Sequence, residues 1–198
     1  AVQLADGYLN RWFLDAVCGR GYPDDMLEWY GDAAPPHLPP LPPLDFLGVN
    51  YYYRRVVRDA PPPLGWRQVT PANAELSEMG WEVHPDGLRE ILLRVARDYA
   101  APVLYVTENG IALPRGLDDE RRVAYLDSHL AAVEEARAAG APVAGYFVWT
   151  LLDNFEWAFG TSRRFGLVEV DFETQRRTIR RSGRRYAELI AAHRESVV

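Results

Sequence analysis

Lysine is absent from this chain of 198 residues, and cysteine occurs once. The 22 basic residues are all arginine and stand against 28 aspartates and glutamates, so the net charge is −6. That balance offers no basic face to nucleic acid or to an anionic membrane, and neither is expected as a partner. The lone Cys18 excludes an internal disulfide and a cysteine-bound metal cluster, and is expected as a small buried side chain. No apolar run is long enough to span a bilayer, and nothing resembles a signal peptide, which makes a cytoplasmic location the expectation. No glycine-rich phosphate loop or dinucleotide fingerprint occurs. Histidine is sparse: His37, His84, His129 and His193 are scattered through a proline loop, a strand-to-helix link and two helices. Their spacing fits no metal site, so each is read as structural or surface, and no cofactor or metal is expected.

What is present is a hydrophobic content of 48%, enough for one sizeable folded core. Leu9, Trp12 and Phe13 mark an amphipathic helix over 6–15, and Tyr22-Pro-Asp-Asp-Met26 opens a second that stops at Gly31. Six prolines between Ala33 and Pro43 dictate an extended or turn-like connection; an SH3-type ligand is the lesser alternative. Residues 45–53 read as a strand, and 54–80, with Pro61-Pro62-Pro63 and Gly65, as a long loop. Pro85 opens a helix whose Leu88, Leu92, Val95 and Tyr99 form one stripe. Val103–Val106 is a short apolar run suited to a buried parallel strand. A helix from Asp118 to Gly140 turns Val123, Leu126, Leu130 and Val133 inward. Pro142–Leu152 is a third strand, followed by an aromatic, acidic exit at 153–161 and a hairpin over 165–177. Ser182 is expected to cap the last helix, with Tyr186, Leu189 and Ile190 inward. Strands alternating with helices predict an α/β fold with a parallel sheet.

The chemistry gathers at the three strand exits. The first ends in Asn50, Tyr51 and Tyr52; the second in Thr107, Glu108 and Asn109; the third in Trp149, followed by Glu156 and Trp157. A carboxylate at the end of a buried strand is costly unless paired or employed, and that end of a parallel sheet is where ligands bind. Indole faces with carboxylates and amides suit a carbohydrate, because rings stack on the C–H face of a pyranose while carboxylates and amides bind its hydroxyls. For each aromatic the plain alternative is core packing, and Trp12, Trp29 and Trp66 are left there; Trp81 carries no assignment.

Five motifs, in order, resemble glycoside hydrolase family 1, the β-glucosidase family. They are Arg11-Trp-Phe-Leu-Asp15 with Gly19-Arg-Gly-Tyr-Pro23, Asp45-Phe-Leu-Gly-Val-Asn-Tyr-Tyr52, Met79-Gly-Trp-Glu-Val-His-Pro85, Tyr105-Val-Thr-Glu-Asn-Gly110 and Gly145-Tyr-Phe-Val-Trp-Thr-Leu-Leu-Asp-Asn-Phe-Glu-Trp157. The resemblance implies that Glu108 is the nucleophile of a retaining mechanism, with Tyr52 orienting it and Asn50 beside it. It likewise implies that Glu156 grips the O4 and O6 hydroxyls of the nonreducing sugar, that Trp157 reaches O3, that Trp149 is the stacking platform and that Phe165 walls the C6 side. A β-glucoside or short β-linked oligosaccharide is the implied substrate, and the Glu156-Trp157 pair speaks against a 6-phosphosugar.

The family's acid/base lies in an Asn-Glu-Pro motif, and no Asn-Glu occurs in this sequence. The motifs match only strands six to eight of a (β/α)8 TIM barrel with their helices, so residues 1–198 are expected to form a single partial domain, the C-terminal portion of such a barrel. Three strands leave two open edges and an uncovered apolar face. The chain is therefore expected to belong with a complementary N-terminal half or to assemble as a homo-oligomer. The alternative is a non-catalytic fragment or a weak sugar-binding half-barrel.

Overall fold

A computed structural model describes residues 1–35, 38, 39 and 41–196; His37, Pro36 and Pro40 of the proline-rich stretch lie outside the described residues. In chain order, α1 (Val2–Asp6), a π-helical turn (Gly7–Arg11) and α2 (Trp12–Val17) run on from one another, and α3 (Asp24–Tyr30) follows. Next come β1 (Leu47–Asn50), β2 (Val56–Asp59), β3 (Trp66–Val69), α4 (Pro85–Tyr99), β4 (Leu104–Asn109) and α5 (Glu120–Ala138). The chain ends with β5 (Val143–Val148), β6 (Val168–Val170), β7 (Arg177–Ile179) and α6 (Arg181–Ser196).

The central sheet has the order β1-β4-β5, and both pairs are parallel. Leu104 and Val106 point into the core from β4, where they meet Leu88, Leu92 and Val95 of α4 and Val133 and Ala136 of α5. Pro85 starts α4 because its missing N–H falls where a helix has no acceptor for one, and the i, i+4, i+7 spacing of the leucine–valine stripe fixes the buried face. The opposite face of the sheet is bare: Phe46 and Phe147 are 55% and 57% exposed, joined through Tyr105 by ring contacts of 5.5 and 6.5 Å. An open groove of about 660 Å³ runs beside β1 between the N-terminal helix and α4. The described residues thus form parallel α/β architecture with both edges of the sheet unpaired, and no closed barrel.

The N-terminal helical run docks on α4 through charge. Arg94 donates to both oxygens of Asp6 at 2.7 Å, and Tyr99 Oη donates to Asp15 at 2.6 Å. Arg11 forks onto Asp25 at 2.9 and 2.7 Å and holds that carboxyl down at about 2.

Several expectations are corrected. Residues 54–80 are not one loop, because β2 and β3 pair there as an antiparallel hairpin whose four-residue strands flank the proline cluster. The first helix runs longer than 6–15, and Phe13 is 61% exposed rather than inward, because the π turn rotates the faces that follow it. Ile190 is exposed, and Cys18 is half-buried rather than buried. Ser182 does not cap α6; it lies inside the helix, where its hydroxyl donates to Asp119 Oδ2 at 2.6 Å and its N–H to Oδ1 at 2.9 Å. The strands at 45–53 and 142–152 are shorter than read, at Leu47–Asn50 and Val143–Val148. Among the described residues, no helix is long and apolar enough to cross a membrane.

Candidate active site

Because the three strands are parallel, their C-terminal ends meet at one edge of the sheet. The backbone ladder continues past them: Tyr51 N–H donates to Glu108 C=O and Trp149 N–H to Asn109 C=O, both at 2.9 Å. Register shifts flank Glu108 on both sides, since Asn50 pairs with Glu108 where Val49 paired with Val106, and Asn109 pairs with Val148. Such irregularities turn side chains off the regular alternation. Here three successive residues take three environments, with Thr107 exposed, Glu108 half-buried and Asn109 fully buried.

Tyr52 Oη donates to Glu108 Oε2 at 2.6 Å. Burial, then the hydrogen bond to Glu108, then the charges of Glu108 and Glu156 drive the Tyr52 pKa well above its ordinary value. The phenol therefore remains a donor, and among the described residues Glu108 has one oxygen occupied and one open. Thr107 Oγ1 donates to Asn50 Oδ1 at 2.7 Å, which turns the Asn50 amide NH2 outward as a donor.

Glu156 is only 8% exposed. Among the described residues its carboxylate meets one side-chain donor, Trp149 Nε1 at 3.4 Å. A carboxylate with so few donors of its own is a ready acceptor for ligand hydroxyls. Trp157, at the start of a 3₁₀ turn (Trp157–Phe159), is 82% exposed. Phe165 is buried and packs edge-on against Tyr52, with ring centroids 6.1 Å apart. It therefore reaches the site as a support for Tyr52. Trp12, Trp29 and Trp66 lie apart: Trp12 stacks on Tyr22, while Trp29 and Trp66 contact Tyr8.

The structure adds residues that the sequence reading did not assign. Asn109 donates to the Tyr51 carbonyl at 2.7 Å and the Tyr125 hydroxyl at 2.8 Å, and accepts from the Tyr146 hydroxyl at 2.7 Å. One buried amide thus pins β4 to the chain on both sides, next to Glu108. Trp81 stacks on Tyr53 with centroids 5.1 Å apart and packs against Tyr52 at 5.3 Å, bringing the 79–85 motif to the same rim. Gly110 lies under the Trp149 carbonyl, where a Cβ would collide with the oxygen. The motif boundaries were the available signal for Asn109 and Gly110; the partners of each are far off in sequence. Among the described residues, no three His, Cys, Asp or Glu side chains gather as a metal site.

Carboxylates, amides and indoles thus gather at the C-terminal ends of the parallel strands, the edge where α/β proteins of this class carry their sites. The chain belongs to glycosyl hydrolase family 1, whose model matches residues 1–195. It is 36% identical over 192 residues to β-glucosidase A of Thermotoga maritima, covering 90% of this chain and 42% of that protein. It is 37% identical over 227 residues to a bifunctional β-D-glucosidase/β-D-fucosidase of Bifidobacterium breve, covering 98% of this chain and 48% of that protein. Among solved structures, the Thermotoga maritima β-glucosidase in complex with castanospermine superimposes with a TM-score of 0.88 at 34% identity, over 96% of this chain and 46% of that one. The AHE enzyme from Alicyclobacillus herbarius gives a TM-score of 0.90 at 40% identity, over 97% and 46%. The chain thus spans just under half the length of the relatives it matches.

Proposed function

We propose that these 198 residues are a single partial domain, strands six to eight of a (β/α)8 barrel, carrying the nucleophile side of a retaining β-glycosidase. The substrate is a terminal nonreducing β-D-glucosyl residue on an alcohol or a short β-linked oligosaccharide. The observation that carries the reading is the Tyr52–Glu108 hydrogen bond of 2.6 Å beside the buried, nearly unpartnered Glu156.

In the proposed mechanism, the free oxygen of Glu108 attacks the anomeric carbon as the glycosidic C–O bond breaks, giving a glycosyl ester that water then hydrolyses. Tyr52 holds the attacking carboxylate on one side. Glu156 accepts the O4 and O6 hydroxyls, Trp157 donates to O3, Trp149 stacks beneath the ring, Asn50 donates near the reacting carbon, and Phe165, being buried, acts on the C6 side only through Tyr52, which it backs. The proton for the leaving group comes from a second carboxyl about 5 Å away. With no Asn-Glu pair in the chain, that acid belongs to a complementary N-terminal half, docked on the open edges of β1 and β5; assembly of like chains is the other arrangement.

The test is mass spectrometry after incubation with a 2-deoxy-2-fluoroglucoside bearing a good leaving group, using the chain assembled with its complementary half. A peptide carrying the fluoroglucosyl mass at Glu108 is expected, and an unlabelled Glu108 defeats the assignment. The missing Asn-Glu pair favours a second reading, a sugar-binding half-barrel without turnover. Hydrolysis by the chain alone, lost in Glu108→Gln, excludes it.

A further inference from the structure

Asp153 and Arg180 are buried more deeply than any charged group of the candidate site, with both side chains fully excluded from solvent. They meet through two parallel bonds of 2.8 Å, Arg180 Nη1 to Asp153 Oδ1 and Nη2 to Oδ2. A buried ion pair is poor evidence for stability, because desolvating both charges offsets their attraction. What such a fork supplies is orientation, since a planar guanidinium and a carboxylate fit in few relative arrangements.

The other side-chain bonds of the pair reach the segments around the site. Asp153 lies three residues before Glu156, accepts the N–H groups of Gly166 at 2.9 Å and Val170 at 3.3 Å, and meets a second guanidinium, Arg164 Nη1, at 3.5 Å. Arg180 Nη1 donates to the Gly166 carbonyl at 2.6 Å, and Nε to the Gly116 carbonyl at 2.8 Å. Gly166 follows Phe165, and Gly116 lies in the connection between β4, which carries Glu108, and α5. Three segments, carrying Glu108, Glu156 and Phe165, are therefore tied at one point.

We infer that Asp153 and Arg180 are positioning residues, whose fork holds the Glu156–Trp157 loop in register with the Phe165 segment and the connection between β4 and α5. The inference rests on the proposed sugar-gripping role of Glu156. Neither residue touches the sugar; their effect passes through the loop they hold.

Two variants test it by hydrogen exchange on the 198-residue chain. Arg180→Lys keeps the charge and loses the fork; the double variant Asp153→Leu with Arg180→Met removes both charges, and Arg164, which loses its 3.5 Å contact with Asp153, keeps its bond to the Val170 carbonyl at 3.0 Å. The reporters are the amides of Glu156, Leu167 and Val168, which donate to Gly160, Thr150 and Leu151 rather than to Asp153. In both variants these amides should exchange roughly tenfold faster while α4, β4 and α5 keep parent rates. Unchanged exchange at the reporters overturns the inference. So does equal loss across α4, β4 and α5, or an Arg180→Lys chain that fails to fold, because the pair is then a general core element. In the assembled barrel, the same variants should weaken binding of the 2-deoxy-2-fluoroglucoside by roughly tenfold with the bound-state labelling rate held within about twofold. Absence of labelling in the parent counts against Glu108 as nucleophile and leaves the exchange rates to decide on the pair.

Discussion

The Tyr52 hydroxyl shares its 2.6 Å bond with one oxygen of Glu108, and burial keeps it protonated. Hydrogen bonds to charged groups are worth about 1.5–3 kcal/mol. Tyr52→Phe should therefore slow covalent labelling of Glu108 by roughly 10- to 100-fold in the assembled barrel, with substrate binding nearly unchanged. Time courses of fluoroglucoside labelling check this. His129 makes a second prediction at this scale. It is fully buried against Tyr125, its Nδ1 donates to the Tyr125 carbonyl at 2.8 Å, and burial depresses its pKa to about 4. The unfolded chain binds this proton near the ordinary value of about 6.5, so between those limits the unfolded state holds more protons. Stability should rise with pH over that window and be lost as pH falls through it, by on the order of 3 kcal/mol in all. Denaturation midpoints at a series of pH values should show that slope, and His129→Phe should flatten it. The position of Glu108 at the end of a buried parallel strand was legible because its motif is contiguous. The contacts of Asn109 and Asp153 were not, since Asn109 reaches Tyr51 from 58 residues away and Asp153 meets Arg180 across 27.

Elements were legible where one period ran long enough. The α4 stripe of Leu88, Leu92 and Val95 is buried as its spacing requires. Leu92→Ala should accordingly cost about 2–5 kcal/mol by leaving a core cavity, whereas Phe13→Ser, at an exposed position of α2, should cost under about 0.5 kcal/mol in the chain alone. Urea melts of the two variants make the comparison. The β2–β3 hairpin escaped notice because strands of four residues carry too few alternations to separate from loop, and the Pro61–Pro63 cluster masks the turn. Gly110 shows an element-level constraint of another kind. It permits the exits of β4 and β5 to touch where the Trp149 carbonyl leaves no room for a Cβ. Gly110→Ala should destabilise by about 3 kcal/mol or force the two exits apart, seen as a lower melting midpoint together with faster exchange at Trp149.

For the whole molecule, the bare face of the sheet is the dominant feature. Phe46, Tyr105 and Phe147 form a line of rings on a side with no covering layer among the described residues. Contiguous exposed apolar surface of this kind marks an interaction site or an aggregation hazard, and both sheet edges offer unpaired backbone groups. Under the proposed function, the complementary half fills that face. The chain alone should bind a hydrophobic fluorescent dye and lose that signal on assembly, and Phe147→Glu should block assembly while improving the monomer's solubility. Size-exclusion chromatography with light scattering reads the second outcome.

By itself the sequence determined the alternation of helix and strand, the family motifs and the cluster of chemistry at three strand exits, because periodicity, turn residues and motifs act over short stretches of chain. Only the tertiary structure decided that Asn109 joins three tyrosines, that Asp153 and Arg180 are buried together and that Phe13 faces outward. Those outcomes depend on which distant segments exclude water from one another. Burial, pairing of charge and the direction of a side chain at a shifted register are properties of that packing, and no local pattern encodes them.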